Sequence, residues 1–292
     1  MTTPSVSLRL HAWRHVALGL VCPLIAALGS SSLSAQAASG DASAPVLSED
    51  FESGSLSPKI WDVREFGAVD ITVQQTQVAH GKSALKVHTA SGARNAFASI
   101  VATHLPDSIR QHNFGRVYMF ISPDMPAGHD ALMSAGRPGW PLSDFLEIGA
   151  SGGKSPMVSY QQNAPLPVFR GETIGPDKSS SPYPVGRWFC LEWEYSDQPD
   201  TIRLWIDGQQ VRDATFNNNP IINRQKNPTG KGGAAPKAPA TPTLPMEPKN
   251  SGLTGGFYDF AFGFRYWGAP KTDYDIFYDD IAIGTQRIGA LK

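Results

Sequence analysis

From Val46 onward, apolar and polar residues alternate in short runs, each closed by Gly, Pro, Ser, Asn or Asp. Alternation with period two turns one face of a segment to a core and the other outward, so these runs predict β-strands. The clearest block is Arg187 to Gly208: Arg-Trp-Phe-Cys-Leu-Glu-Trp-Glu-Tyr, a polar break, then Thr-Ile-Arg-Leu-Trp-Ile-Asp-Gly. It reads as a hairpin, and Asp207-Gly208 suits a tight turn of positive φ that feeds a third strand. Further strands are expected at 46–51, 70–77, 84–89, 97–104, 116–121, 131–133, 144–148, 157–161, 257–267 and 275–283. Beyond a short turn at 106–110, no stretch carries helical periodicity. So many short strands predict an all-β fold: a jelly-roll, concanavalin-like sandwich of two antiparallel sheets in a single domain.

The N-terminus departs from that pattern. Arg9, His11, Arg14 and His15 lead an apolar run from Val16 to Leu28, and Ala35-Gln36-Ala37 follows. This predicts a signal peptide over 1–37 and a secreted or periplasmic domain over 38–292. The apolar run is shorter than the roughly 20 residues of a bilayer span; an uncleaved anchor is the alternative. Residues 217–252, rich in Pro, Gly and Asn, bury too little to offset ordering and are expected to form a mobile loop insertion.

Twenty-five basic and 26 acidic residues leave a net charge of −1. Nucleic acid is therefore not an expected partner, nor is a membrane after cleavage, and a monomer is expected. Cys22 would leave with the leader, so Cys190 has no internal disulfide partner and reads as a packed small hydrophobe.

Parity within strands sorts the remaining side chains. In 257–267, Tyr258, Phe260, Phe262, Phe264 and Tyr266 share the core face, which sends Arg265 and Trp267 outward. Leu146 and Ile148 turn inward, hence Glu147 outward. Leu132 turns inward, hence Ala131 and His129 outward. A histidine, a carboxylate, an arginine and aromatic rings on one outer face suit an anionic sugar chain. Rings stack on pyranoses, arginine forks onto carboxylates, and histidine moves protons near neutral pH. Ordinary surface residues are the competing reading.

Paired acids lie near both ends: Glu49-Asp50-Phe51-Glu52, and Asp279-Asp280 in the last strand, with the Gly81-Lys82-Ser83 turn between them. First and last strands pair in a jelly roll, so Glu49, Glu52, Ser83, Asp279 and Asp280 are candidate ligands of a structural Ca2+. Solvated turn acids are the alternative.

Across its mature length the chain resembles the secreted jelly-roll group of fungal cellulose-induced proteins, glucuronan lyases and polysaccharide lyase-like relatives. The resemblance rests on Glu49-Asp50-Phe51-Glu52, Gly81-Lys82-Ser83, the His129…Glu147 spacing, 186–193, Leu204-Trp205-Ile206-Asp207-Gly208 and Asp279-Asp280-Ile281. It implies β-elimination on a uronic-acid polysaccharide. In that chemistry His129 is the base or a carboxylate donor, Arg265 neutralises the uronate, and Tyr160 or Tyr266 supplies the acid. Parity turns Tyr266 inward and favours Tyr160. Glu147 orients His129 or contacts substrate, and Trp267 binds sugar. A non-catalytic carbohydrate-binding module is the alternative. A glycoside hydrolase pairing Glu147 with Glu192 or Glu194 ranks third.

Overall fold

The computed structural model describes residues 44–94, 96–103, 105–126, 128, 130–136, 145–151, 155–162, 170–174, 182–197, 200–215, 256–266 and 268–291. These fall within one unit, Asp41–Lys292. The expected leader (1–37) and the expected insertion (217–252) lie outside the described residues.

Among the described residues the strands are β1 (Leu47–Glu49), β2 (Trp61–Phe66), β3 (Val69–Gln74), β4 (Ala84–Thr89), β5 (Phe97–Ala102), β6 (His112–Ile121), β7 (Asp130–Gly136) and β8 (Phe145–Ser151). Then come β9 (Ser155–Gln162), β10 (Arg170–Ile174), β11 (Trp188–Asp197), β12 (Asp200–Ile206), β13 (Gln209–Thr215), β14 (Asp259–Tyr266) and β15 (Tyr274–Gly284). They form two antiparallel sheets. The eight-stranded one runs β13-β12-β11-β6-β15-β4-β3, with β1 also on β15; the seven-stranded one runs β10-β9-β8-β7-β14-β5-β2. The architecture is the all-β jelly-roll sandwich that alternation predicts. A single 3₁₀ turn, Asp107–Ile109, stands where a short turn was expected. Among the described residues no helix is long and apolar enough to cross a membrane.

Phe189, Leu191, Trp193 and Tyr195 of β11 face Phe257, Phe260 and Phe262 of the other sheet across the core. Trp193 stacks on Phe260 with ring centroids 5.6 Å apart. Its Nε1 donates to Asn113 Oδ1 at 3.0 Å, which satisfies the indole N–H without water. The ring lies over Gly115, its cross-strand partner, where any Cβ would collide with it. At the far end of the hairpin, Asp207 and Gly208 have φ of 50° and 78°, the pair of positive values a two-residue turn needs. Asp207 Oδ1 also accepts from the Cys190 backbone N–H at 2.9 Å.

Part of the outer face of the eight-stranded sheet is covered. Residues 285–291 cross it: Arg287 forks onto Glu192 at 3.0 and 3.1 Å, and its guanidinium lies 4.3 Å from the Trp205 ring centre. Leu291 N–H donates to the Tyr118 hydroxyl at 2.9 Å. Cys190 is buried on this side. Burial, then the Glu192 charge, pushes its thiol up to about 12, in keeping with a packed hydrophobe.

Candidate functional site

The seven-stranded sheet presents the other outer face. Residues directly opposite one another on paired strands share a face, so the register draws its rows. One row runs Asp62, Val101, Ala261, Ser134, Glu147; beyond a short row of Arg64, Ser99 and Gly263, another runs Phe66, Phe97, Arg265, Ala131, Gly149, Met157. Glu147 and Arg265 thus sit on one face, in rows that adjoin on β8 and are parted by Gly263 on β14, among residues as small as Ala261, Ser134, Ala131 and Gly149.

Both occupy the expected face, yet Glu147 is fully buried rather than open to water, as are Val101, Ala261, Ser134, Ala131 and Met157 of the same rows, while Arg265 and Phe97 are half-buried. Desolvation lowers the pKa of the Arg265 guanidinium, and the Glu147 carboxylate acts against that shift. A partly desolvated cation opposed by one carboxylate can take a second carboxylate from a ligand, because each anionic oxygen gains more there than it would in water.

Two irregularities separate the rows. The ladder slips between Ala131 and Met133 in β7 and between Phe262 and Arg265 in β14. Bulges of this kind leave carbonyls without ladder partners and re-aim the next side chain. The Tyr278 hydroxyl, reaching from β15 across the core, lies 2.8 Å from Leu132 O and 2.7 Å from Gly263 O, so one proton serves both bulges. Gly263 itself has a φ of 150°, and a Cβ there would strike the β5 backbone.

Asp130, not singled out from the sequence, lies one residue past Ala131 on the opposite parity, in the row of Tyr266 and Ala150. It is fully buried, and neither carboxyl oxygen has a hydrogen bond. Burial pushes its pKa up to about 8, so the carboxyl is neutral at pH 7. An acid beside a histidine reads as a strand-end charge; only the register with Tyr266 reveals it as interior.

Of the other expected site residues, His129 and Trp267 lie outside the described residues. Tyr160 stands in β9 opposite Leu146 and Glu172, a register position in the row of core residues Ala135 and Phe260; its side chain is not among those described. Tyr266 is in the core, as parity requires. The hydrolase pairing fails. Glu192 and Glu194 belong to β11 of the other sheet, where Glu192 is held by Arg287 and Glu194 by Arg203 and His112, so neither shares a face with Glu147.

The five proposed calcium ligands gather around the pairing of β1 with β15. Glu52 Oε1 accepts from Lys82 and Ser83 N–H at 2.7 and 2.9 Å, and these bonds hold its carboxyl below the usual range. Asp279 Oδ2 accepts from Ala79 and His80 N–H at 3.0 and 3.2 Å; burial raises its pKa to about 6. Asp280 pairs with His80 at 2.6 Å, and Glu49 caps Phe51 N–H and the Trp61 indole. Glu52, Asp279 and Asp280 therefore close a clasp around one turn with hydrogen bonds, while Glu49 is engaged elsewhere. Among the described residues no group of three or more His, Cys, Asp or Glu side chains is placed to hold a metal ion.

With this geometry in place, comparison with solved structures is informative. The cellulose-induced protein Cip1 superposes with a TM-score of 0.53 at 16% identity, over 84% of this chain and 100% of that one. An endo-β-1,4-glucuronan lyase from the fungus Trichoderma reesei gives 0.52 at 15% identity, over 83% and 96%. This chain has their fold. At such identity the likeness is one of architecture, and it agrees with the family the sequence resembles. No family model matches the chain, and no curated protein matches it either.

Proposed function

We propose that this protein is carbohydrate-active, that it binds a uronic-acid-containing polysaccharide across the outer face of the seven-stranded sheet, and that it cleaves the chain by β-elimination. The observation that carries the reading is the Arg265–Glu147 arrangement: a partly desolvated guanidinium on a face of small residues, within the field of a buried carboxylate on the same face. Two structures of the same fold, one named a glucuronan lyase, support it.

Elimination needs the C5 carboxylate neutralised, the C5 proton removed and the departing O4 protonated. Arg265 supplies the first function, since a bidentate fork on the carboxylate withdraws charge as the carbanion develops. Glu147 holds the guanidinium. His129 as base belongs to this proposal through the family resemblance; Tyr160, the acid that the resemblance implies, holds a register position in a core-side row, so the acid is left unassigned.

Incubation with glucuronan or alginate should release unsaturated uronides, seen by their ultraviolet absorbance. Arg265→Ala should abolish release; it also removes the cation that faces the buried Glu147, so the melting temperature should fall, and a thermal melt checks that the variant is folded at the assay temperature. Absence of unsaturated product from every uronan defeats the lyase reading. The non-catalytic module is favoured by one feature: Glu147, at 0% exposure, cannot touch a substrate, which leaves fewer groups for chemistry. Binding without product, unaffected by His129→Ala, is its signature.

Calcium enters only as a proposed ligand of the terminal clasp, supported by Glu52 and Asp279 approaching one turn from two sides. Calcium addition should then raise the melting temperature and a chelator should lower it. No response to either means hydrogen bonds alone close the clasp.

A further inference from the structure

We propose that Phe66 and Phe97, at the β2 edge of the seven-stranded sheet, form a sugar-stacking subsite that extends the Arg265 face toward that edge. The proposal deepens the functional reading above and rests on it for the identity of the chain that would be bound.

The two rings are direct cross-strand partners, with centroids 6.0 Å apart and planes only 15° from parallel. Phe97 rests on Val101 and Ala261, the small apolar cluster of this outer face, which fixes the stack from below. Phe66 is 60% exposed, the largest value among the exposed large hydrophobic side chains described. An aromatic left this open on an edge strand gains little from folding beyond its contact with Phe97 and invites unwanted contacts, so its retention fits a ligand better than a packing role.

Position supplies the second argument. Phe97 is also the cross-strand partner of Arg265, so Phe66, Phe97 and Arg265 occupy consecutive strands of one row. At about 4.8 Å per strand, the exposed ring stands about 10 Å from the arginine along the sheet. An extended oligosaccharide lying across the strands would place one ring over Phe66 while a neighbouring uronate reaches Arg265.

Arg64, two residues before Phe66 on the same face and linked to Asp62 at 3.4 Å, adds a cation beside the stack. Aromatic faces take the apolar C–H side of a pyranose, and nearby guanidinium groups take its carboxylate. A protein partner fits less well. The apolar area is one stacked pair flanked by charge, since Val63 lies in the core-side row, whereas stable protein interfaces bury about 1,200 Å² or more.

The test uses the full chain, Phe66→Ala and Phe66→Trp, with β-1,4-glucuronan oligomers of increasing length and neutral β-1,4-glucan oligomers as probes. Phe66→Ala removes an exposed ring, and a thermal melt confirms that the fold is intact. The expected result is a Kd raised about tenfold for long oligomers, the loss of one aromatic contact, with short oligomers unaffected and Phe66→Trp binding at least as tightly. Equal affinity of Phe66→Ala at every length overturns the subsite while the uronan reading stands. Phe66-dependent binding of neutral glucan alone supports the subsite and defeats the uronan reading. Binding of neither probe defeats both. A dimer in sedimentation that Phe66→Ala converts to monomer also overturns the subsite, because a second copy would then be its occupant.

Discussion

Asp130 shows how one side chain couples a buried position to pH. Its folded pKa, about 8, stands above the unfolded value near 3.9. The native state therefore holds the proton that the unfolded chain gives up. Stability from this group is complete below about pH 4, declines as pH rises, and is lost once pH passes about 8. Asp130→Asn, which cannot ionise, should flatten that decline and raise the melting temperature at pH 8 more than at pH 5. Equal shifts at both pH values would show that the carboxyl does not titrate in the fold. Glu147 faces Arg265 on the outer side of the same sheet. Glu147→Gln should weaken uronan binding through a misplaced guanidinium, with a smaller effect than Arg265→Ala.

At the level of strands, the two bulges decide which residues meet. The ladder slip at Ala131/Met133 sends Ala131 outward and Asp130 inward, and the slip at Phe262/Arg265 sets Arg265 level with Phe97 and Ala131. Tyr278 is the pin between them. Tyr278→Phe should destabilise the protein by about 1–3 kcal/mol, the cost of leaving buried carbonyls unpaired. It should also lower uronan affinity although the residue lies on the other sheet; a loss of stability with unchanged affinity would show that the bulges do not aim Arg265.

Much of this level is legible in the chain. Alternation locates β4 from end to end and finds most other strands within a few residues, because the signal is local. It misses β2, where Glu65 falls in the core-side row and Phe66 on the outer one, so the Phe66 stack escapes notice. β10 is missed as well, and β13, a largely polar strand, is foreseen only as the strand after Asp207-Gly208. Rows depend on register between distant strands, and bulges shift that register without a mark in the local pattern. Parity thus puts Glu147 and Arg265 on the right face, but it cannot show that Glu147 is buried, that Asp130 is unpaired, or that Glu192 belongs to the other sheet.

Over the whole molecule the two sheets divide the work. The 285–291 segment and its Arg287–Glu192 fork cross part of the outer face of the eight-stranded sheet, while the other sheet carries the candidate site. Arg287→Ala would leave the buried Glu192 carboxylate without its cation and should cost about 1–3 kcal/mol, read as a lowered denaturation midpoint. Uronan affinity should stay constant, since the lesion is on the far side.

The pairing of Leu47 with Ile283 also sets the order of events during synthesis. A ribosome delivers β1 before every other described strand and its neighbour β15 after all of them, so the opening strand waits unpaired while the strands between are made. Closure of the sandwich is thus a late step that joins distant parts of the chain, and folding should be slow for a domain of this size.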